Sequence, residues 1–342
     1  MLAETGQYLS GIFKRCRLCI VSDETVYGLY GEAVSASLKS AGYDVFPFTF
    51  PPGENSKTMD TVCRLLEFLA KERFTRADAI IALGGGVPGD LAGFAASCYL
   101  RGISFAQIPT TLLSAVDSSV GGKTGVNLSS GKNLAGAFLQ PSFVLCDCGI
   151  LRTLPAGLLK DGVAEIIKYC VIADCDLFEL MCRNSIDSLC NDNFLEHIVE
   201  KCVIIKSGIV AADEHDTGKR RLLNFGHTIG HAVEKLSGYE ASHGEAVAFG
   251  MLFISRAAEE LGITRARSSE EIERVLKQYD FSLSYRYPAD ELYEAALIDK
   301  KRYGDSITLI IPEKIGDARS VEIDIKKFKE LVVRGSLQWM SE

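Results

Sequence analysis

No apolar run in this 342-residue chain approaches the ~20 residues that a membrane-spanning helix needs, so a helical membrane protein is excluded. The N-terminus lacks a charged segment followed by an apolar core, and no export signal is legible. Positive charge is in short supply as well. Against 45 Asp and Glu there are 37 Lys and Arg, a net charge of -8, which argues against a general nucleic-acid binder. The 11 cysteines are odd in number and irregular in spacing, unlike a secreted disulfide scaffold. They read as reduced thiols in a cytoplasmic protein, mostly small core residues. Cys16-x-x-Cys19 has no second pair to complete a zinc ribbon, and no His-Glu-x-x-His occurs to make a zincin protease. Repeats, low-complexity tracts and long linkers are missing too.

What remains is a globular composition, 47% hydrophobic and 24% charged, in a chain long enough for two domains. Residues 1–150 alternate apolar strands with helical segments: strands at Arg17–Val21, Val45–Phe50 and Ala79–Leu83, helices over 27–41 and 57–73. That alternation predicts a parallel sheet covered on both faces. From 151 to 342 the periodicity becomes mainly helical, over 155–172, 175–190, 194–211, 222–237, 243–262, 268–279 and 289–299, with a hairpin within 306–324. The boundary is expected near Cys148–Arg152.

Four motifs carry chemistry. Gly84-Gly85-Gly86-Val87-Pro88-Gly89-Asp90 follows the third strand and fits G-x-G-x-x-G, where the backbone can approach a pyrophosphate at a helix N-terminus. No acidic residue follows between 91 and 116 to take a ribose, so a plain strand-to-helix turn competes on even terms. Asp117-Ser118-Ser119-Val120-Gly121-Gly122-Lys123-Thr124 resembles the end of a P-loop but has Asp117 where glycine is required, which removes the ATPase reading. A glycine-rich loop with Lys123, then Gly131-Lys132-Asn133, suits a phosphate or carboxylate. Glu165 and Lys168 share a helix face; alone they read as a surface ion pair.

The fourth motif uses a scarce residue. Only five histidines occur, and three fall between Asn224 and Glu245. His227 and His231 are four apart, one face of a helix, and grouped neutral imidazoles suit zinc or a similar divalent ion. Ser242-x-x-Glu245 fits a capping box, placing His243 in a first helical turn and making Glu245 a cap rather than a ligand. Lys206, Arg220 and Arg221 flank the cluster, and basic residues beside each motif point to an anionic small substrate.

Together with Pro52-Gly53-Glu54-x-x-Lys57 and Pro109-Thr110-Thr111-Leu112-Leu113, these motifs in this order resemble the 3-dehydroquinate synthase family of the sugar phosphate cyclase superfamily, from about Val21 to Gly316. The resemblance implies a Rossmann-like α/β NAD-binding domain, a mainly α-helical metal-binding domain and a homodimer. It implies Glu165, His227 and His243 as ligands of zinc or cobalt. Asp23, Glu54, Lys57, Gly85, Gly86, Asp90, Thr110, Thr111, Lys132 and Thr153 match positions around NAD. Asp117, Lys123, Asn133, Lys168, Lys206, Arg220, Asn224 and His231 match positions around the sugar phosphate, with Asp117 and Lys123 counted on the cofactor side too. Lys300 is the lysine expected from Asp299-Lys300-Lys301, and Arg101 is expected to reach the phosphate of the neighbouring subunit. The implied reaction oxidises the C5 hydroxyl of 3-deoxy-D-arabino-heptulosonate 7-phosphate, eliminates phosphate, restores the carbinol, opens the ring and closes a carbocycle by an aldol step. The net redox change is zero, as in a lyase.

Alternatives are another cyclase, making an aminocyclitol or valiolone-type ring, a metal-dependent NAD-linked polyol dehydrogenase, and an inactive scaffold. Two departures from the family stand out. The chain begins late: either its start is assigned too far downstream or the sheet lacks an edge, and the missing strand is expected to leave an exposed edge and lower stability. Pro88 is unusual in the glycine turn, and a first helical turn should tolerate it.

Overall fold

The computed structural model describes residues 1–238, 240–285, 287–298 and 305–341; Lys300 and Lys301 lie outside these. The chain divides into two compact units, Met1–Leu154 and Pro155–Glu342. The first runs α1 (Thr5–Ser10), β1 (Arg17–Asp23), α2 (Glu24–Val26), a π-helical turn (Tyr27–Gly31), α3 (Glu32–Ser40), β2 (Asp44–Phe50), α4 (Met59–Lys71), β3 (Ala79–Gly84) and α5 (Gly86–Cys98). It continues with β4 (Ser104–Pro109), β5 (Lys123–Leu128), β6 (Gly131–Phe138), β7 (Phe143–Val144) and α6 (Cys148–Leu151).

Five strands form one parallel sheet in the order β2-β1-β3-β4-β7. Because strand side chains alternate in direction, β1 splits its residues between two cores. Leu18 and Ile20 join Val34, Leu38 and Ile81 on one face; Cys19 and Val21 join Leu65, Ile80 and Leu91 on the other. The strand order reverses between β1 and β3, and in such sheets ligands bind outside the carboxyl ends of the strands at that point. Asp23 ends β1 and Gly84 ends β3, so the fold itself places the glycine turn there.

Gly121 and Gly122 lie in a loop as expected, but from Lys123 on the stretch is an antiparallel hairpin, β5 against β6. Its glycines hide the strand signal, yet they are what lets the strands close up: a Cβ on Gly136 would stand 2.2 Å from Thr124 O.

The second unit contains α7 (Ala156–Ala173), α8 (Cys175–Cys182), α9 (Asp192–Ala212), α10 (His227–Leu236), α11 (His243–Glu260), α12 (Ser269–Gln278), α13 (Ala289–Ile298), a hairpin of β8 (Ser306–Lys314) and β9 (Asp317–Asp324), and α14 (Ile325–Ser341). Two expected helices are divided. The one over 175–190 stops at Cys182, where Asn184 donates to Leu180 O and Ser185 opens a separate 3₁₀ turn over Ile186–Cys190. The one over 222–237 is broken by Gly226 at φ +80, which makes His227 the first residue of α10.

α11 packs against α7 and α10. A Cβ on Gly250 would sit 2.0 Å from Gly226 O, so α10 and α11 touch backbone to backbone. No helix among the described residues is long and apolar enough to cross a membrane. The ten cysteines whose side chains are described are all free, and burial pushes the Cys19 and Cys170 thiols well up.

Candidate active site

The second unit gathers the histidines. Gly226 turns the chain so that α10 begins at His227, and Ser242 caps α11 by accepting the Glu245 N–H, which starts that helix at His243. Asp161 anchors the same helix start, accepting from Ser242 Oγ at 2.7 Å and from Gly244 N at 2.8 Å. The expected reciprocal capping box does not form in full: the Glu245 carboxylate accepts from Ser282 N at 2.8 Å and lies 3.6 Å from Lys160 Nζ. Glu245 is not among the metal-competent groups.

Glu165, fully buried on α7, presents Oε1 3.1 Å from His243 Nε2 and 3.5 Å from His227 Nε2. Ligand atoms of Glu165, His227 and His243 all lie within 4.8 Å of one another, a spacing one divalent cation spans. His227 Nδ1 is 3.0 Å from Phe225 O; donation there fixes the tautomer that leaves Nε2 as the ligating atom. Burial holds the His227 imidazole neutral, down at about 3, the form a metal requires. At His243 burial also disfavours the cation, but the hydrogen bond to Glu165 and the nearby Glu234 carboxylate outweigh it and hold the group up at about 10. Two buried carboxylates thus demand positive charge at this spot, and the donor set fits a zinc-type ion.

Lys168 pairs with Glu165 and is 1% exposed, so this is no surface ion pair. The His227 and His231 rings lie 5.3 Å apart and the His231 and His243 rings 6.5 Å apart. His231, Glu234 and His243 form a second group of metal-competent spacing. Glu234 was not anticipated from sequence, although it stands three residues past His231 on the same helix face. Lys206 on α9 and Arg220 in the 3₁₀ turn Lys219–Asn224 are both buried. Asp213 shapes the approach to that turn, accepting from the N–H groups of Thr217, Gly218 and Arg220 at 3.0, 2.7 and 2.9 Å. Arg220 Nη1 donates to Glu214 O at 2.6 Å. Asn224 closes the turn.

In the first unit, α5 starts at Gly86, directly after Gly85. Gly84 has φ +154, and a Cβ there would collide with the Pro88 ring at 2.4 Å, so the unusual proline packs onto the turn rather than disturbing it. Thr110 N donates to Gly84 O, while buried Thr110 Oγ1 has no hydrogen-bond partner among the described residues. A Cβ on Gly85 would lie 3.1 Å from Thr111 Cγ2, so the glycine lets the turn pack closely against Thr111. A side-chain-free turn, a helix N-terminus and an unsatisfied hydroxyl fit a pyrophosphate.

Lys57, 5% exposed, pairs with Asp90 and donates to Asn133 Oδ1 at 2.5 Å. Asp23 accepts from Val26 N as an N-cap, and Thr153 Oγ1 donates to Ile150 O. Asp117 lies in the π-helical turn Ser114–Ser118, Lys123 begins β5, Lys132 is exposed on β6, and Arg101 is exposed at φ +67.

Comparisons with known proteins agree with this geometry. The family models for the 3-dehydroquinate synthase N-terminal and C-terminal regions match residues 47–161 and 162–302. The 3-dehydroquinate synthase of Streptococcus suis (strain 05ZYH33) is 44% identical over 338 residues, covering 97% of this chain and 94% of that protein. Among solved structures, a 2-epi-5-epi-valiolone synthase from Streptomyces hygroscopicus subsp. jinggangensis 5008 with NAD+ and Zn2+ bound is similar at TM-score 0.87 and 28% identity, covering 95% of this chain and 91% of its own. A 2-deoxy-scyllo-inosose synthase with carbaglucose-6-phosphate, NAD+ and Co2+ gives TM-score 0.84 and 27% identity over 97% of this chain and 94% of its own. The chain belongs to the 3-dehydroquinate synthase family.

Proposed function

We propose that the chain converts 3-deoxy-D-arabino-heptulosonate 7-phosphate to 3-dehydroquinate and phosphate, as a carbon–oxygen lyase with NAD and a divalent metal. The observation that carries this reading is the buried Glu165, His227 and His243 triad with Lys168 against it. NAD would supply reversible hydride exchange and zinc or cobalt would supply Lewis acidity at the substrate oxygens.

The residues divide by task. Gly85, Gly86, Thr110 and Thr111 border the turn suited to the pyrophosphate, with Glu54, Lys57 and Asp90 beside it. Glu165, His227 and His243 hold the metal, and Glu234 orients His243 through Nδ1, 3.6 Å away. Buried cations Lys168, Lys206 and Arg220 bind the substrate's anionic groups and, fixed in place, favour charge that develops during elimination. His231, one helical turn from the ligand His227, moves a proton. Asn224 is a further substrate contact. We place the cofactor function in the unit before Pro155 and the metal function in the unit after it. A homodimer in which exposed Arg101 reaches the partner's phosphate completes the reading, and ten free thiols suit a cytoplasmic setting.

Relatives at 44% identity carry the dehydroquinate synthase name, whereas the valiolone and inosose cyclases stand at 28% and 27%, which favours the first substrate. Pure protein incubated with the heptulosonate phosphate, catalytic NAD and zinc or cobalt should release phosphate and dehydroquinate in equal amounts. Folded, metal-loaded protein that releases no phosphate refutes the proposal, and accumulating NADH would point to a dehydrogenase.

A further inference from the structure

One residue with no role in any reading so far sits where the cofactor and substrate sides of the first unit meet. Asn127 lies near the end of β5, where the register with β6 shifts between Val126 and Leu128. Such irregularities re-aim a side chain. Asn127 Nδ2 donates to Glu54 Oε1 at 2.7 Å, and its Oδ1 accepts the Asn133 N–H at 2.9 Å. Its own N–H donates to Lys57 O at 2.9 Å, beside a parallel bridge to Thr58. Both ends of its amide and its backbone are therefore engaged at once.

Asn133 is held at φ +55, in the left-handed region that a side-chain-bearing residue seldom adopts without support. The support is visible: Asn127 takes its N–H and Lys57 takes its side-chain oxygen. Lys57 in turn pairs with Asp90 on α5. The chain Glu54–Asn127–Asn133–Lys57–Asp90 thus starts and ends on residues assigned to NAD and has Asn133, assigned to the sugar phosphate, in its middle.

We propose that Asn127 is a positioning residue that locks Asn133 to the 54–58 segment, so that NAD bound against Glu54 and Lys57 fixes Asn133 for the substrate. This rests on the cofactor and substrate assignments above. Occupation of the cofactor site then tightens sugar-phosphate binding through a hydrogen-bonded chain, with Asn127 as the link between them.

The test uses the whole chain with Asn127→Ala, Asn127→Asp and Asn127→Asp/Glu54→Gln. Backbone amide exchange over residues 129–136 is followed by mass spectrometry with and without NAD, alongside KM and kcat for the heptulosonate phosphate. In the wild type NAD should slow exchange of this segment; in Asn127→Ala it should not. KM should rise about tenfold in Asn127→Ala, one net hydrogen bond's worth, while kcat changes far less. Asn127→Asp sets a carboxylate against Glu54 and should be worse. Adding Glu54→Gln restores a donor–acceptor pair with polarity reversed and, with NAD held saturating because Glu54 is itself assigned to the cofactor, should recover much of the KM loss. Unchanged KM with faster exchange, equal NAD protection in both proteins, or a fall in kcat that tracks a fall in melting temperature overturns the proposal. If the wild type makes no dehydroquinate, the substrate reading fails, and NAD-dependent protection of 129–136 alone decides the coupling.

Discussion

Replacing Glu165 with Gln keeps the shape of the side chain and removes one charge from the middle of the second unit. The native carboxylate faces His243 Nε2 at 3.1 Å and His227 Nε2 at 3.5 Å, and pairs with Lys168. Glu165 and Lys168 are 0% and 1% exposed, so water cannot take over when the charge goes. Removing one member of such a pair costs about 3–5 kcal/mol. The Lys168 ammonium also lies 4.8 Å from the Tyr169 ring centre, which offsets a little of this and favours the lower end, ~3 kcal/mol. For a unit of this size that is a drop of roughly 6–12 °C in the melting temperature of the metal-free protein. Zinc affinity should fall at the same time by at least about 100-fold, because a ligand is worth more than the outer-shell groups whose loss costs 10–100-fold. Chelator competition measures the affinity, and calorimetry of protein stripped of metal measures the stability. Wild-type zinc affinity in Glu165→Gln, or a metal-free melting temperature within about 2 °C of wild type, refutes the argument.

The other predictions concern the same unit. His243→Ala should lose metal and turnover together, whereas His231→Ala should keep stoichiometric metal and lose turnover; metal loss in His231→Ala would move the ion to the His231, Glu234 and His243 group. Asp213, held below its ordinary pKa of 3.8 by the N–H groups of Thr217 and Arg220, gives stability that is present above that value and lost as pH falls through the lower folded one. Denaturant titrations of wild type against Asp213→Asn should therefore show a constant gap above about pH 5 that closes in acid; a gap that widens in acid contradicts this. Gly250→Ala would put a methyl 2.0 Å from Gly226 O and should cost about 1–3 kcal/mol or more by forcing α10 off α11. Unchanged stability by urea unfolding would show that the helices can move apart freely.

The parallel sheet was legible because β1 and β3 are continuous apolar runs, and burial on both faces is what such runs report. The hairpin of β5 and β6 was not, because its pairing rests on glycines that carry no alternation. Helix ends failed where a single conformation decides them, as at Gly226, whose positive φ moves His227 from mid-helix to a first turn. α14 carries none of the motifs that marked the other helices. In the site, the motif order supplied Glu165, His227 and His243, but not the groups that hold them. Glu234 shared a helix face with His231 and was available to periodicity. Asp161 and Asn127 act across 83 and 73 residues of chain to Gly244 and Glu54, and no local pattern encodes such a contact.

The thiols bear on which metal the chain keeps. Sulfur is the softer and stronger zinc donor, and a chain this rich in cysteine risks having its ion drawn away from nitrogen and oxygen. A thiol competes only as the thiolate. Burial keeps Cys19 and Cys170 protonated, which withdraws these interior sulfurs from the contest without removing them from the core. The same apolar packing that builds the cores would therefore also help leave an ion to the carboxylate and two imidazoles proposed to hold it.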